Sequence, residues 1–493
     1  MASHFKQTKI AIILMLAFEA LSLMAYFIPS LSLAIFIFAT FSFLLLSLFR
    51  LKYGVYIALG EIFIGSKGYL LSLEIEGFSI SIRIAFWLIL LSVWIGNTLH
   101  RTIQKRKLKI DAIESKHFRA YILLGIFILW GLVNGILNKN EFSNIFFDFN
   151  AWLFFLYIFP LFAVAKSRGF KKTIISILSA GVIWLSIKTI LLIYVFTHFS
   201  PDSILMLYKW VRDTGVGEIT RMEGGFYRIF IQSQIFSLVL IFVWIWSYIV
   251  NKNKKAFFSR TTFLYVLLLS AASLNLLASY SRSYWAGLAV ALICFVGLIF
   301  YRKIKLKVLA QSFSVLLLSA FLAFTIILVA VNFPLPNTSA RFGASDLTKR
   351  ASTIQGEAGV SSRWSLLPQL KKEIRSSFIL GQGFGTTVTY KSSDPRVKLS
   401  TADGQYTTYA FEWGWLDIWL KLGFFGLLAY IYLLFYLIAQ AIKEKNRILD
   451  PLIISLVGIA ATSFFSPYIN HPLGIAFVLI FTVLINNRYK QKI

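Results

Sequence analysis

The sequence predicts an all-α polytopic integral membrane protein of about 12–14 transmembrane helices with one large outward loop. Three observations predict it. Apolar runs of the roughly 20 residues needed to cross a hydrocarbon core recur along the chain. Only 14% of the 493 residues are charged and mean hydropathy is +0.74, whereas about a quarter of a soluble domain is charged. Basic residues also gather at every second junction between the runs.

In chain order, spans are expected at 9–28, 31–49, 53–72, 82–100, 119–137, 147–165, 173–197, 228–250, 261–280, 283–301, 307–331, 413–441, 451–466 and 472–487. The first run is too long for a signal h-region and lacks a small-residue cleavage site, so it reads as a span. The third run is unusual in holding Glu61 and Lys67. With the N-terminus inside, the inner junctions fall at Lys6/Lys9, Arg50-Leu51-Lys52, 101–119, 166–172, 252–260, 302–307, 443–447 and 488–492. All are basic, and together they hold more than half of the 49 Lys and Arg. The short alternate turns are nearly free of both, so both termini are expected to be cytoplasmic. The net charge of +28 therefore belongs to the membrane surface, and nucleic acid is excluded as a partner. The single cysteine, Cys294, excludes a disulfide or a cysteine metal site within the chain. There is no internal repeat, low-complexity tract or inverted-repeat pattern of the transporter type.

The long outward segments divide the chain into N-terminal helices (1–199), central helices with an outer loop at 200–227 (200–331), a large loop (332–411) and C-terminal helices (412–493). Loops that long are usually functional or disordered. Within the large one, Ser361-Ser362-Arg363-Trp364 leads into Leu367, Leu370, Ile374 and Phe378. That spacing gives one apolar face and predicts a short amphipathic helix on the membrane or on the bundle. Pro368 must start or kink it. Gly381-Gln382-Gly383-Phe384-Gly385 follows as a tight turn, and without a following Lys-Ser/Thr it is no P-loop.

The outward side carries arginines that membrane topology does not call for: Arg212, Arg221, Arg228, Arg282, Arg341, Arg350, Arg363, Arg375 and Arg396. Arg282 lies between two apolar spans in Tyr280-Ser281-Arg282-Ser283-Tyr284, where a charge should face the bundle interior or a polar cavity. Guanidinium forks bind two phosphate oxygens at once, so such a cluster suits a lipid-linked pyrophosphate. The plain alternative for each is an interface anchor or a partner for a nearby acid. Glu412 stands where the large loop re-enters the membrane, among Phe411, Trp413 and Trp415. An apolar setting there would suit it as a base for an acceptor hydroxyl, and capping the next helix is the alternative. His198 and His471 are rival bases. Lys188, Glu19 and Glu61 are expected to pair within the bundle. Trp210, Tyr284, Trp285, Trp364, Trp413, Trp415 and Trp419 form an outer aromatic rim on which sugars can stack.

Four elements together resemble the O-antigen ligase and polymerase family of bacterial envelope glycosyltransferases. They are Arg221-x-x-Gly224, Ser281-Arg282-Ser283, Ser362-Arg363-Trp364 with the later Leu380–Gly385 turn, and Glu412-Trp413-Gly414-Trp415-Leu416 with Leu422-Gly423-Phe424-Phe425-Gly426. They cover roughly 200–440. The resemblance implies a fold of the integral-membrane glycosyltransferase (GT-C-like) kind in the bacterial inner membrane, with the large loop periplasmic. It implies an undecaprenyl-pyrophosphate-linked oligosaccharide as donor, membrane lipids around it, inversion at the sugar, no cofactor and no metal, and it leaves room for a chain-length regulator as partner. Arg221, Arg282, Arg228 and Arg363 would bind pyrophosphate. Ligases of this family usually carry His-Ser or His-Asn where this chain has Glu412-Trp413. The departure favours a polymerase of lipid-linked repeat units, with Glu412 as base or His471 in its place. An O-antigen ligase or protein O-oligosaccharyltransferase is the near alternative, and a lipid-oligosaccharide flippase the alternative of another class.

Overall fold

The computed structural model describes residues 2–75, 78–251, 259–333, 340–352, 358–392, 397, 401 and 403–486. Among them, 11 helices are long and apolar enough to cross a membrane, and Asp450–Thr462 and Pro472–Ile485 are shorter apolar helices beside them. The architecture is the all-α polytopic one that the sequence predicts. Burial separates core from periphery. In the most apolar window of Gln232–Asn251, 78% of residues are buried, against 22% in Pro29–Phe49. The first is therefore a central helix, whereas the second exposes Phe38, Phe41 and Phe49 on its outer side.

The expected span at 53–72 is corrected. Its helix, Leu51–Ile64, has only 14 residues. The chain then turns through Ser66 (φ 49°) and Gly68 (φ 94°) into the strands Ser72–Ile75 and Phe78–Ser81. The cause is Glu61, which needs a partner if it is to be buried. Arg83 supplies one through a two-pronged pair, with Nε and Nη2 each 2.8 Å from a carboxylate oxygen, and Nη1 donates to the Ser66 carbonyl at 2.6 Å. Lys188 pairs with Glu19 at 2.8 Å. Pairing within the bundle is thus observed, but Glu61 pairs with Arg83 rather than with Lys188.

Two further hairpins were not foreseen, Gly217–Arg221 with Tyr227–Ile231 and Val388–Lys391 with Gln405–Thr408. Both lie in the long loops, so one face of the bundle bears all the irregular structure around the candidate site.

The large loop is fastened into this face by its glycine turn. The helix Gly414–Lys443 is interrupted at Gly423 (φ 74°, ψ 179°), a conformation closed to side-chain-bearing residues. The interruption frees main-chain groups, and the loop takes them. Gln382 N donates to Leu420 O (2.7 Å), and Phe424 N donates to Ile379 O (3.1 Å). On the other side Phe384 N donates to Gly131 O (2.9 Å), while Asn134 and Asn140 donate to the carbonyls of Gly381 and Phe384 (2.8 Å each). Phe384 is fully buried against Phe149 and Trp152. Gly383 (φ 81°) passes so close that a Cβ would lie 2.0 Å from Gly135 N. Irregular backbone at this depth is tolerated because its polar groups are satisfied by protein.

The predicted amphipathic helix is present as Ala358–Ser376, with Pro368 inside it. Its buried face is Leu366, Leu370 and Ile374, one residue round from the predicted Leu367, and these join Val388, Phe411 and Leu420 in a small second core. Phe378, expected on that face, lies beyond the helix end and stacks on Phe424 at 5.3 Å.

Candidate functional site

The site is an arginine cluster under the large loop. The hairpin 217–231 contributes first. Thr220 stands opposite Arg228, and Arg221 opposite Tyr227. Facing residues on a hairpin share a side and neighbours along a strand do not. Glu218, Thr220, Arg228 and Phe230 thus share one side, and Arg221 points to the other. Arg228 lies over the Phe230 ring (5.1 Å) and donates from Nε to the Ser279 carbonyl (2.7 Å). The turn of this hairpin is held by the large loop through Arg341 N to Gly224 O, 2.8 Å.

Arg282 opens the helix Arg282–Tyr301, directly after Tyr280 (φ 49°) reverses the chain. Its Nε donates to the Arg350 carbonyl (2.9 Å), and Arg350 Nε donates to the Tyr280 carbonyl (3.1 Å). The loop helix Ala344–Ser352 is thereby clipped to the Ser281-Arg282-Ser283 junction. Ser283 Oγ contacts Ser281 Oγ at 2.9 Å and accepts from Ser466 at 3.0 Å. Arg363, in the Ala358–Ser376 helix, forms an ion pair with Glu412, and its carbonyl accepts from the Trp413 indole at 3.1 Å. The hydroxyls of Tyr284 and Tyr468 meet between these parts.

The guanidiniums feel one another. Burial lowers the proton affinity of Arg350 to about 9, with Arg228, Arg282 and Arg363 adding to the effect in that order. Arg228 and Arg363 are lowered by burial and by their neighbouring cations, and both are opposed by Glu218. Carboxylates near the four are Glu218, Glu412 and, at the edge, Asp346, which accepts from Gly343 N at 2.8 Å. Among the described residues, cations outnumber anions here, and an added polyanion would relieve the repulsion. Trp364, 53% exposed, lies edge-on to Trp413 (5.5 Å), which meets Phe465 (5.7 Å). These rings form an aromatic shelf beside the Arg363–Glu412 pair.

Of the sequence-derived site residues, Arg228, Arg282, Arg363 and Glu412 are brought together. Arg221 is not. It is exposed on the opposite side of its hairpin, which the two-residue strand period enforces. Glu412 is not buried among its aromatic neighbours either. Half of its side chain is exposed and its partner is Arg363, and the helix that follows is entered through Trp413 without a side-chain cap. His471 lies elsewhere, with Arg83 and Lys67 as its electrostatic neighbours. Its Nδ1 accepts from Leu473 N at the start of Pro472–Ile485, and burial pushes its proton affinity down to about 3. His198 is tied up between the carbonyls of Tyr194 and Phe333, 2.8 Å each. Trp210, counted in the rim, is buried and donates to Ser22 Oγ at 3.0 Å. Arg396 lies outside the described residues.

A second constellation went unrecognised in the sequence. Lys421 Nζ is 2.6 Å from Asp148, 2.5 Å from Asp417 and 3.0 Å from the Tyr409 carbonyl. Asn470 donates to Asp417 (2.5 Å) and Gly385 N to Asp148 (3.0 Å). Asp417 and Lys421, one helical turn apart in an apolar stretch, were the available signal.

Comparison with curated proteins and with solved structures gives no match. Residues 264–431 match the family model described as O-Antigen ligase. The matched stretch includes Arg282, Arg350, Arg363, Glu412 and the glycine interlock, and over it the chain is similar to the O-antigen ligase/polymerase family.

Proposed function

We propose that the chain polymerises lipid-linked polysaccharide repeat units, moving the growing glycan from undecaprenyl pyrophosphate onto the next lipid-linked repeat. The observation that carries this reading is the convergence of Arg228, Arg282, Arg350 and Arg363 beside Glu412. The loop-bearing face is then periplasmic, since the opposite helix ends are basic. The pyrophosphate docks on the guanidinium forks and competes with Glu412 for Arg363. Glu412, so released, takes the proton of the acceptor hydroxyl. The hydroxyl oxygen attacks the anomeric carbon from the side opposite the pyrophosphate, whose bond breaks and keeps the electron pair. One glycosidic bond forms with inversion, and the aromatic shelf of Trp364 and Trp413 holds the sugar rings.

Glu412-Trp413, at the position where family ligases carry histidine, supports polymerase over ligase. The internal pairing of Lys188 with Glu19 and of Glu61 with Arg83 speaks against a transport path. Purified protein with lipid-linked repeats tests the reading. We expect a ladder of longer glycans on the carrier, and about a 10²–10⁴-fold slower turnover for Glu412→Gln at nearly unchanged donor KM. Transfer of a preformed chain to lipid A-core without any ladder would replace polymerase by ligase. Loss of the gene separates the two again, since a polymerase null leaves single capped repeats and a ligase null leaves long chains on the carrier.

A further inference from the structure

The end of the bundle opposite the arginine cluster holds a cavity of about 990 Å³. Its mouth lies among helix ends. Lys9, Lys171, Lys172 and Arg447 line it there, and among the described residues no Asp or Glu lines it anywhere. From this mouth the cavity runs inward between two helices, past Ser179 to Ile183 on Phe170–His198, and along Gln232–Asn251 as far as Phe236. At 1.5 Å per residue, the paths from Lys171 to Ile183 and from Asn251 to Phe236 are about 18 and 22 Å long. That is slightly more than one leaflet of a roughly 30 Å hydrocarbon core. The inner walls are apolar, with Ile12, Phe236, Val239 and Phe477. Trp246 also lines the cavity, about 8 Å in from Asn251. It is 2% exposed, and its indole N–H has no acceptor among the described residues.

We propose that this cavity binds one anionic glycerophospholipid of the adjacent leaflet. Its phosphate sits among Lys9, Lys171, Lys172 and Arg447, and an acyl chain fills the apolar shaft. The Trp246 indole donates to an ester carbonyl, a group that a glycerophospholipid places just below its phosphate. Basic pockets between transmembrane helices hold acidic head groups for the same reason, charge at the mouth and hydrocarbon behind it. The depth fits an acyl chain standing in one leaflet. A polyprenyl chain would be much too long for it.

Native mass spectrometry of the full chain, exchanged against mixed phosphatidylglycerol and phosphatidylcholine micelles, tests this. We expect one phosphatidylglycerol retained in preference to phosphatidylcholine. Lys171→Gln/Lys172→Gln/Arg447→Gln should cut that preference by about fivefold per charge removed. Ile183→Trp, which fills the shaft, should lose both lipids. Millimolar inorganic phosphate should leave the bound lipid in place. The proposal falls if the unaltered chain shows no preference, if the triple variant keeps it, or if phosphate alone displaces the lipid. The triple variant alters only the mouth, so it decides the matter even where Ile183→Trp fails to fold.

Discussion

Two charged constellations lie at the loop-bearing face, and they are built on opposite principles. Around Lys421 one ammonium meets two carboxylates and a carbonyl, while Asn470 donates to Asp417 and Gly385 N to Asp148. Its side chain is 2% exposed. The group is closed and ties together the 142–165 helix, the end of the large loop, the interrupted helix and the 463–471 turn. In the arginine cluster, cations are in excess among the described residues. Three of its guanidiniums, Arg228, Arg282 and Arg350, are positioned by donating Nε to main-chain carbonyls, which aim them. A buried charge with its counter-ions in place serves the fold, and an aimed surplus of charge serves a ligand. Stability and activity should therefore respond separately at the two places.

The largest effect should come from Lys421→Met. Removing the ammonium leaves Asp148 and Asp417 facing each other without compensation, a loss of about 3–5 kcal/mol. Thermal unfolding in detergent would show it, and adding Asp417→Asn should return part of the loss. If Lys421→Met melts like the parent, the network is not structural. Next comes Arg282→Lys, which keeps the charge and loses the fork. We expect turnover down by about 10²–10³-fold with the melting temperature nearly unchanged. A stability loss on the scale of Lys421→Met would erase the distinction between the two constellations.

The sequence carried the fold through its strongest signals and the site through some of its residues. Span positions were legible because long apolar runs and basic junctions are local features. The third expected span failed because Glu61 is matched by Arg83, 22 residues on, a pairing no local pattern reveals. Arg282 stood out because a charge between two spans with no loop needs a polar surrounding. Arg350 looked like any loop arginine, and only its contacts with Tyr280 and Arg282 bring it in. Arg221 lies apart from the cluster because a hairpin alternates sides, and the hairpin itself was not foreseen. The glycine motifs at 381–385 and 422–426 looked like two separate signals, whereas they are the two halves of one interlock.

That interlock sharpens the comparison from the loop's side. Gly383→Ala would set a methyl 2.0 Å from Gly135 N at φ 81°, so the turn must withdraw. We expect a loss of about 1–3 kcal/mol together with reduced turnover, because Arg363 and Glu412 hang from the same loop. Proteolysis of the loop in the reconstituted protein should rise in parallel. Activity retained with a loosened loop would mean that the arginines, and not the interlock, place the site.

The smallest effect on activity should follow His471→Asn. Asparagine can still accept a hydrogen bond at a helix start, so the cap survives, and turnover should stay within about threefold of the parent if Glu412 is the base. The same variant carries a pH signature. Burial, then Arg83 and Lys67, hold His471 near 3 in the folded chain, against about 6.5 when unfolded. Between these values the unfolded state binds the extra proton, so the parent loses stability as pH falls below about 6.5. His471→Asn should flatten that part of the melting-temperature profile and leave the rate profile in place. A rate profile that loses its acidic limb in His471→Asn, and keeps it in Glu412→Gln, would instead move the base from the loop edge to the 463–471 turn.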